Sequence, residues 1–234
     1  MSKVYRATHV GKIRKQNEDS LAVIEPETFV VADGMGGQAA GEIASRMLLE
    51  SVKKFLNTAP HVWNEEILRK SILKANAEVL RAAADNEDLQ GMGTTATILH
   101  LHGGRAYFAH IGDSRIYRLR NKKLVQLTLD HSYVEALVRA GKLTQEEARI
   151  HPMKNILLQA VGAPGEIQVD TDNFVVAPGD IFLLCTDGLT NMVDDKEIER
   201  ILIESADPVE DLIQAALDGG GLDNISAIVV DTGR

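Results

Sequence analysis

Cysteine is nearly absent: the 234 residues contain one, Cys185. That excludes an internal disulfide framework and a cysteine-rich zinc site, and it points to a reducing compartment. Long apolar runs are also missing. None approaches the ~20 residues that span a bilayer, and the opening MSKVYRATHVGKIRKQ has no apolar signal core. The expectation is a soluble, cytoplasmic protein. Positive charge is in short supply, with 25 Lys+Arg against 34 Asp+Glu and a net charge of -9. Such a surface repels phosphate backbones and anionic lipid, which argues against nucleic-acid and membrane partners. No repeat, charge block or Gly/Ser/Pro-rich linker divides the chain. The hydrophobic fraction of 44% suffices for one core. Residues 1–234 are therefore read as a single, monomeric domain.

Residues 4–10 suit a short edge strand, and 21–24 and 29–32 read as strands joined around Glu25-Pro26-Glu27. Two amphipathic helices follow. In the first, Ile43, Met47, Leu48, Val52, Phe55 and Leu56 recur at helical spacing, leaving Glu42, Arg46, Glu50, Lys53 and Lys54 for solvent. The second begins at Asn64 as N-cap, with Glu65 and Glu66 at the positive end of the dipole and Trp63 stapled onto Leu68. From Thr94 the period becomes strand-like. Segments 95–101 and 105–111 flank Gly103-Gly104, and 116–119 and 124–127 flank Asn121-Lys122, both hairpin signals. Residues 133–140 are helical and stop at Gly141, and Thr144 with Glu147 makes a capping box for a short helix ending before His151-Pro152. Strands 167–176 and 181–185 turn at Pro178-Gly179-Asp180. Asp207-Pro208 starts a further helix, ended by Gly219-Gly220-Gly221, and 225–230 is a final β-branched strand. Strands grouped with strands and helices with helices indicate α+β with antiparallel pairing.

Carboxylates stand where these strands end. Asp33 closes Phe-Val-Val-Ala and precedes Gly34-Met35-Gly36-Gly37. Asp113 precedes Ser114-Arg115, Asp187 precedes Gly188, Asp223-Asn224 opens the last strand, and Asn17-Glu18-Asp19 precedes 21–24. One aspartate at a strand end is ordinarily a turn former. Several on one rim of a sheet repel unless a cation neutralises them. With no Cys pair and no HExxH, oxygen-only ligands favour Mg²⁺ or Mn²⁺ over zinc. Gly34, without a Cβ, would let a metal approach its carbonyl. Arg14 alone reads as a solvated charge; beside an acidic metal cluster its guanidinium suits a bidentate grip on phosphate oxygens.

The ordered series Arg14-x-x-Asn17-Glu18-Asp19, Asp33-Gly34-Met35-Gly36-Gly37, Gly93-Thr94-Thr95, Gly112-Asp113-Ser114-Arg115, Thr186-Asp187-Gly188 and Asp223-Asn224 resembles the metal-dependent protein phosphatases, also called protein phosphatase type 2C, in their bacterial serine/threonine form. The resemblance spans Arg14 to Asp223. It implies a central β-sandwich of two antiparallel sheets flanked by helices on both sides. It implies that Asp33 bridges two Mn or Mg ions, with the Gly34 carbonyl on one and Asp187 and Asp223 on the other. Glu18 and Asp19 would act mainly through metal-bound waters, Asp113 and Asp187 would hold a third ion, and Arg14 would grip the phosphate. A hydroxide activated between the two core ions would attack phosphoserine or phosphothreonine without a phosphoenzyme intermediate. Substrates would include a serine/threonine kinase and its targets. Residues from about 132 to 154 match the family's flap, where Arg139, Lys142 and Arg149 are able to contact acidic or phosphorylated peptides.

One departure concerns the proton for the leaving oxygen. Many relatives carry a histidine just after the Asp-Gly segment, whereas this chain has Met35 there and Gln38 after Gly36-Gly37. Neither donates a proton near neutral pH, so water on the third ion is the expected substitute. Three other readings compete. Gly34-Met35-Gly36-Gly37-Gln38-Ala39 fits a dinucleotide fingerprint, which would need a parallel strand after the next helix. A phosphoprotein-binding relative without catalysis would lack metal aspartates, yet Asp33, Asp187 and Asp223 are all here. Cys185 lacks the Cys-x5-Arg of a cysteine phosphatase and reads as a core thiol. His100 and His102 read as ordinary strand positions, and His131 and His151 bracket the flap, where substrate contact is open.

Overall fold

The computed structural model describes residues 2–36, 40–59 and 63–233. The first half runs β1 (Lys3–His9), β2 (Asp19–Ile24), β3 (Thr28–Met35), α1 (Ala40–Thr58), α2 (Glu65–Asp85), β4 (Gly93–Thr94), β5 (Ala96–His102) and β6 (Arg105–Ile111). It continues through β7 (Arg115–Arg120), β8 (Lys123–Gln126), α3 (Tyr133–Arg139), α4 (Gln145–Ile150), β9 (Asp170–Val175) and β10 (Ile181–Cys185). Helices α5 (Asp187–Thr190), α6 (Asp195–Glu204) and α7 (Pro208–Asp218) lead to β11 (Ile225–Asp231). The strands make two antiparallel sheets, ordered β1-β11-β10-β7-β8 and β2-β3-β5-β6-β9, with β4 beside β3.

The apolar runs in the central strands are continuous because both faces are buried. Phe29 and Val31 meet Phe182, Leu184, Ile228 and Val230 between the sheets. Their neighbours Val30 and Ala32 pack on Leu48, Val52, Leu68 and Ile72 of α1 and α2. On the opposite side Leu183, Cys185, Ala227 and Val229 pack on Ile198, Ile201, Leu212 and Ile213 of α6 and α7. Four layers result, helix–sheet–sheet–helix, as expected. Each fully buried aliphatic side chain contributes about 1.5–3 kcal/mol.

Local signals hold where they are strongest. Asn64 Oδ1 accepts from the Ile67 N–H at 3.1 Å, the Thr144–Glu147 capping box is formed, and Asn121 and Lys122 take the positive φ of their hairpin. Three expectations change. Strand 29–32 continues through Asp33 to Met35, the strand after the flap begins at Asp170 and not at 167, and two helices, α5 and α6, stand between β10 and α7. Within α1, Ile43, Met47 and Phe55 are only partly buried, and the tight face is Ala44, Leu48, Val52 and Leu56. The dinucleotide reading fails here: α1 leads straight into α2, and the strand pairs among the described residues are antiparallel.

Candidate metal centre

Two neighbouring strands and three loops bring the carboxylates together. Asp19, the first residue of β2, lies opposite Asp33 in β3. Asp33 therefore sits inside a strand pair and not at a strand end, because Gly34 and Met35 go on to pair with Thr94 and Gly93 of β4. Like charges on facing strands are unfavourable, so other contacts must hold them. Asp33 N–H donates to Thr95 Oγ1 at 2.9 Å, and Thr95 N–H donates back to the Asp33 carbonyl at 2.9 Å. Thr95 Oγ1 also bonds Ser114 Oγ at 2.7 Å, which fixes the β6–β7 turn that carries Asp113.

Asp187 opens α5, and its Oδ2 accepts from Asn191 Nδ2 at 2.9 Å. At Gly188 an added Cβ would stand 1.9 Å from the Asn224 carbonyl oxygen, so only glycine lets α5 rest on the loop of Asp223. Asn224 is the joint of the site. Its Nδ2 donates to the carbonyls of Val10 and Gln16, both at 2.9 Å, and its Oδ1 accepts from Glu18 N–H at 2.8 Å. The loop bearing Arg14 and Glu18 is thereby tied to Asp223. Thr95 and Asn224 both stand in the recognised series, but the series does not show that their work is to tie the loops together.

A cleft of about 310 Å³ receives Arg14, Glu18, Asp33, Gly34, Asp113, Asp187 and Asp223, closed on the flap side by Asn155 and Leu157. Asp19 does not line it. Its side chain is buried, with Oδ2 accepting from Thr186 Oγ1 at 2.8 Å and Oδ1 left without a partner. Arg14 Nη2 donates to Asp223 Oδ2 at 2.8 Å from a half-exposed position.

Burial and mutual repulsion act together on these groups. Burial holds Asp33 well above the usual carboxylate range, and Asp19, Asp187, Asp113 and Asp223 add to the effect. Asp113 is raised by burial and then by Asp187 and Asp130, with Arg115 opposing. Asp187 is raised by burial and by Asp223. Asp19 is pushed up to about 7 by burial, with the hydrogen bond from Thr186 opposing. Burial also raises Glu18, and Arg14 partly offsets it.

This donor set suits hard divalent cations: oxygen atoms only, an orphaned buried carboxylate oxygen, and repulsion that one guanidinium does not cancel. Among the described residues no three His, Cys, Asp or Glu side chains close round one point as a ready ligand set. Ions of this class keep several waters and need few protein ligands each, so an open acidic lining remains a fitting arrangement. Packing also requires glycine at 34, since a Cβ there would point at Gly41 and Glu18.

The described lining of the cleft contains no histidine. Met35 lines it, while Gln38 lies outside the described residues. His131 is largely buried, and both its ring nitrogens bond within the fold, to Gly112 N–H and Asp170 Oδ2. His151 ends α4, with Nδ1 accepting from Met153 N–H. His100 is buried against Thr28 and burial lowers it to about 4. Cys185 is a core thiol that burial pushes up to about 12. In the flap, Arg139 and Lys142 are exposed, but Arg149 Nη2 donates to the Thr190 carbonyl at 3.2 Å and faces α5.

A sequence model of protein phosphatase 2C matches residues 12–220. The serine/threonine phosphatase stp of Listeria monocytogenes is 41% identical over 96% of this chain and 93% of its own length. Protein phosphatase PhpP of Streptococcus pneumoniae is 39% identical over 95% of this chain and 94% of its own. Among solved structures, the Mycobacterium tuberculosis serine/threonine phosphatase PstP/Ppp has a TM-score of 0.93 at 34% identity, covering 100% of this chain and 99% of that one. The catalytic domain of PstP in complex with two manganese ions has a TM-score of 0.91 at 33% identity, with coverage of 100% and 99%.

Proposed function

The chain belongs to the protein phosphatase 2C family, and on that footing we propose how its own residues divide the work. It is a metal-dependent serine/threonine protein phosphatase, a hydrolase of phosphoproteins. Asp33, the Gly34 carbonyl, Asp187 and Asp223 hold two Mn or Mg ions. Asp113 with Asp187 would hold a third, and Glu18 on the cleft wall and Asp19 buried behind it would act through intervening water. When bound, these cations supply Lewis acidity that activates water and neutralises phosphoryl oxygens.

The chain's own part is binding, orientation and charge. Arg14 spends one N–H on Asp223, and the guanidinium's remaining donors suit two phosphoryl oxygens. The nucleophile is water: Thr95 is committed to Asp33 and Ser114, and no thiol or imidazole lines the described cleft. Without a histidine in the described lining, the proton for the leaving oxygen would come from water held at Asp113. Asn155 and Leu157 meet the residues flanking the phosphorylated side chain. We place a serine/threonine kinase and its targets among the substrates, with the chain acting as a cytoplasmic monomer through one domain, residues 1–234. Among the described residues no helix is long and apolar enough to cross a membrane.

The observation that carries this assignment is the buried Asp33 surrounded by Asp19, Asp113, Asp187 and Asp223 with Arg14 on the rim. Calorimetric Mn²⁺ titration of Asp187→Asn and Arg14→Ala tests it. Asp187→Asn should lose a binding step. Arg14→Ala should keep Mn²⁺ yet raise KM for p-nitrophenyl phosphate at least about tenfold, the loss of one charge-assisted contact. Wild-type Mn²⁺ binding by Asp187→Asn would refute the ligand assignment.

A further inference from the structure

The flap leaves the body through Asp130 and His131 and returns through Ile156–Leu158, and the two stalks are joined. Tyr133 N–H donates to the Ile156 carbonyl, and Leu158 N–H donates to the His131 carbonyl, both at 2.8 Å. The outgoing stalk also grips the turn that carries Asp113. His131 N–H donates to the Gly112 carbonyl at 2.7 Å, and Gly112 N–H donates to His131 Nδ1 at 3.3 Å. Because Nδ1 accepts, Nε2 carries the proton, which it donates to Asp170 Oδ2 on β9 at 3.1 Å. One residue earlier, Asp130 receives Arg115 through Nε at 2.9 Å and Nη2 at 2.7 Å. Gly112 and Arg115 bracket Asp113, so the pair Asp130-His131 holds both shoulders of the turn. The buried His110 reinforces the hold from behind, with Nε2 donating to the Leu129 carbonyl at 3.1 Å.

We propose that Asp130-His131 is a positioning clamp that couples the flap to Asp113, so that His131 influences turnover through the placement of the Asp113 carboxylate. The proposal rests on the role given above to Asp113. A displaced catalytic group loses rate steeply, about a hundredfold for roughly 1 Å, whereas the core carboxylates Asp33, Asp187 and Asp223 are held by other contacts and are spared. The clamp needs an acceptor at the Nδ1 position and depends little on the contact with Asp170. That makes two polar substitutions unequal: asparagine keeps an oxygen close to Nδ1, while glutamine reaches Asp170 and leaves Gly112 N–H unpaired.

The test uses Mn²⁺-loaded enzyme and a phosphothreonine peptide, with His131→Asn and His131→Gln each made alone and with Asp113→Ala. His131→Gln should lower kcat about tenfold with KM little changed, and His131→Asn should stay within about twofold of wild type. On the Asp113→Ala background His131→Gln should add no further loss, since coupled residues are non-additive. Hydrogen exchange of the metal-free protein gives a readout apart from activity: amides of 112–114 and 129–131 should quicken together in His131→Gln. Equal effects of the two substitutions, or a full His131→Gln loss persisting without Asp113, would overturn the clamp. An Asp113→Ala enzyme as active as wild type would instead remove the Asp113 role beneath it.

Discussion

Replacing Gly34 with alanine puts a methyl group where α1 and the loop before β2 come closest to β3. The new Cβ would lie 2.1 Å from the Gly41 carbonyl oxygen and 2.5 Å from that of Glu18. Ordinary Cβ contacts begin near 3.4 Å, so the first turn of α1 must retreat by roughly 1.3 Å. The 3.1 Å bond from Gly34 N–H to the Glu18 carbonyl is strained by the same movement. Overpacking usually costs about 1–3 kcal/mol. Here backbone must move on both sides and a hydrogen bond worth about 1 kcal/mol is put at risk, so a loss of about 3 kcal/mol or more is expected. Gly41→Ala is the internal comparison. Its Cβ would meet Gly34 C at 2.8 Å and the flexible end of Glu18 at 2.9 Å, a milder conflict. Urea unfolding in EDTA reads stability, and Mn²⁺ calorimetry reads the disturbance passed to Asp33. Gly34→Ala should lower the urea midpoint more than Gly41→Ala and weaken Mn²⁺ binding. A Gly34→Ala protein with wild-type midpoint, or one more stable than Gly41→Ala, would refute the steric reasoning.

Asp180 is almost fully buried and accepts from Arg120 Nε at 2.7 Å, Arg120 Nη2 at 2.6 Å and Ala177 N–H at 2.8 Å. Asp180→Ala should cost about 3 kcal/mol in chemical denaturation, the low end for a broken buried pair because Arg120 can rehydrate; a loss below about 1 kcal/mol would count against it. His110 should not protonate above about pH 5, because burial and then His131 lower it to about 4. The unfolded chain then takes up the proton first, so this stability is intact above about pH 6.5 and declines as pH falls towards 4, by up to about 3 kcal/mol. An NMR titration giving His110 a pKa of 6 or higher would contradict this.

Much of the fold is written in short-range signals. Asn64, Thr144 with Glu147, and Asn121-Lys122 act on their own backbone, and each does so as read. Sheet order is another matter. β11 pairs with β1 on one side and β10 on the other, and β9 joins β6 only after the whole flap has intervened. Strands such as 181–185 are apolar on both faces, so alternation carries no register. α6 carries a local signal of its own, with Asp194 as N-cap and Ile198, Ile201 and Leu202 at helical spacing among charged residues. The acidic residues of the site were legible because each comes in a short string with glycine, asparagine or serine. Their supports Thr95, Thr186 and Asn224 stand in the same strings, but what each one bonds is recognisable only once the strands that carry them are neighbours.

The supports explain how the fold tolerates a cluster that should push itself apart. Repelling carboxylates on flexible loops would turn outward to water and lose the raised proton affinity that burial and proximity impose on Asp33 and Asp113. That escape is blocked. Asp33 is pinned by Thr95 and the β2–β3 pairing, Asp19 by Thr186, and the Asp223 loop by Asn224 and the close seat of Gly188. Removing one support should therefore do more than its own hydrogen bond suggests, because the freed carboxylate relaxes away from its neighbours. Stability for the strained rim comes from the apolar layers on either side of each sheet, where Phe29, Leu48, Leu184 and Leu212 are fully buried. The local conflict thus marks the working end of the molecule, where divalent cations supply the charge the side chains lack.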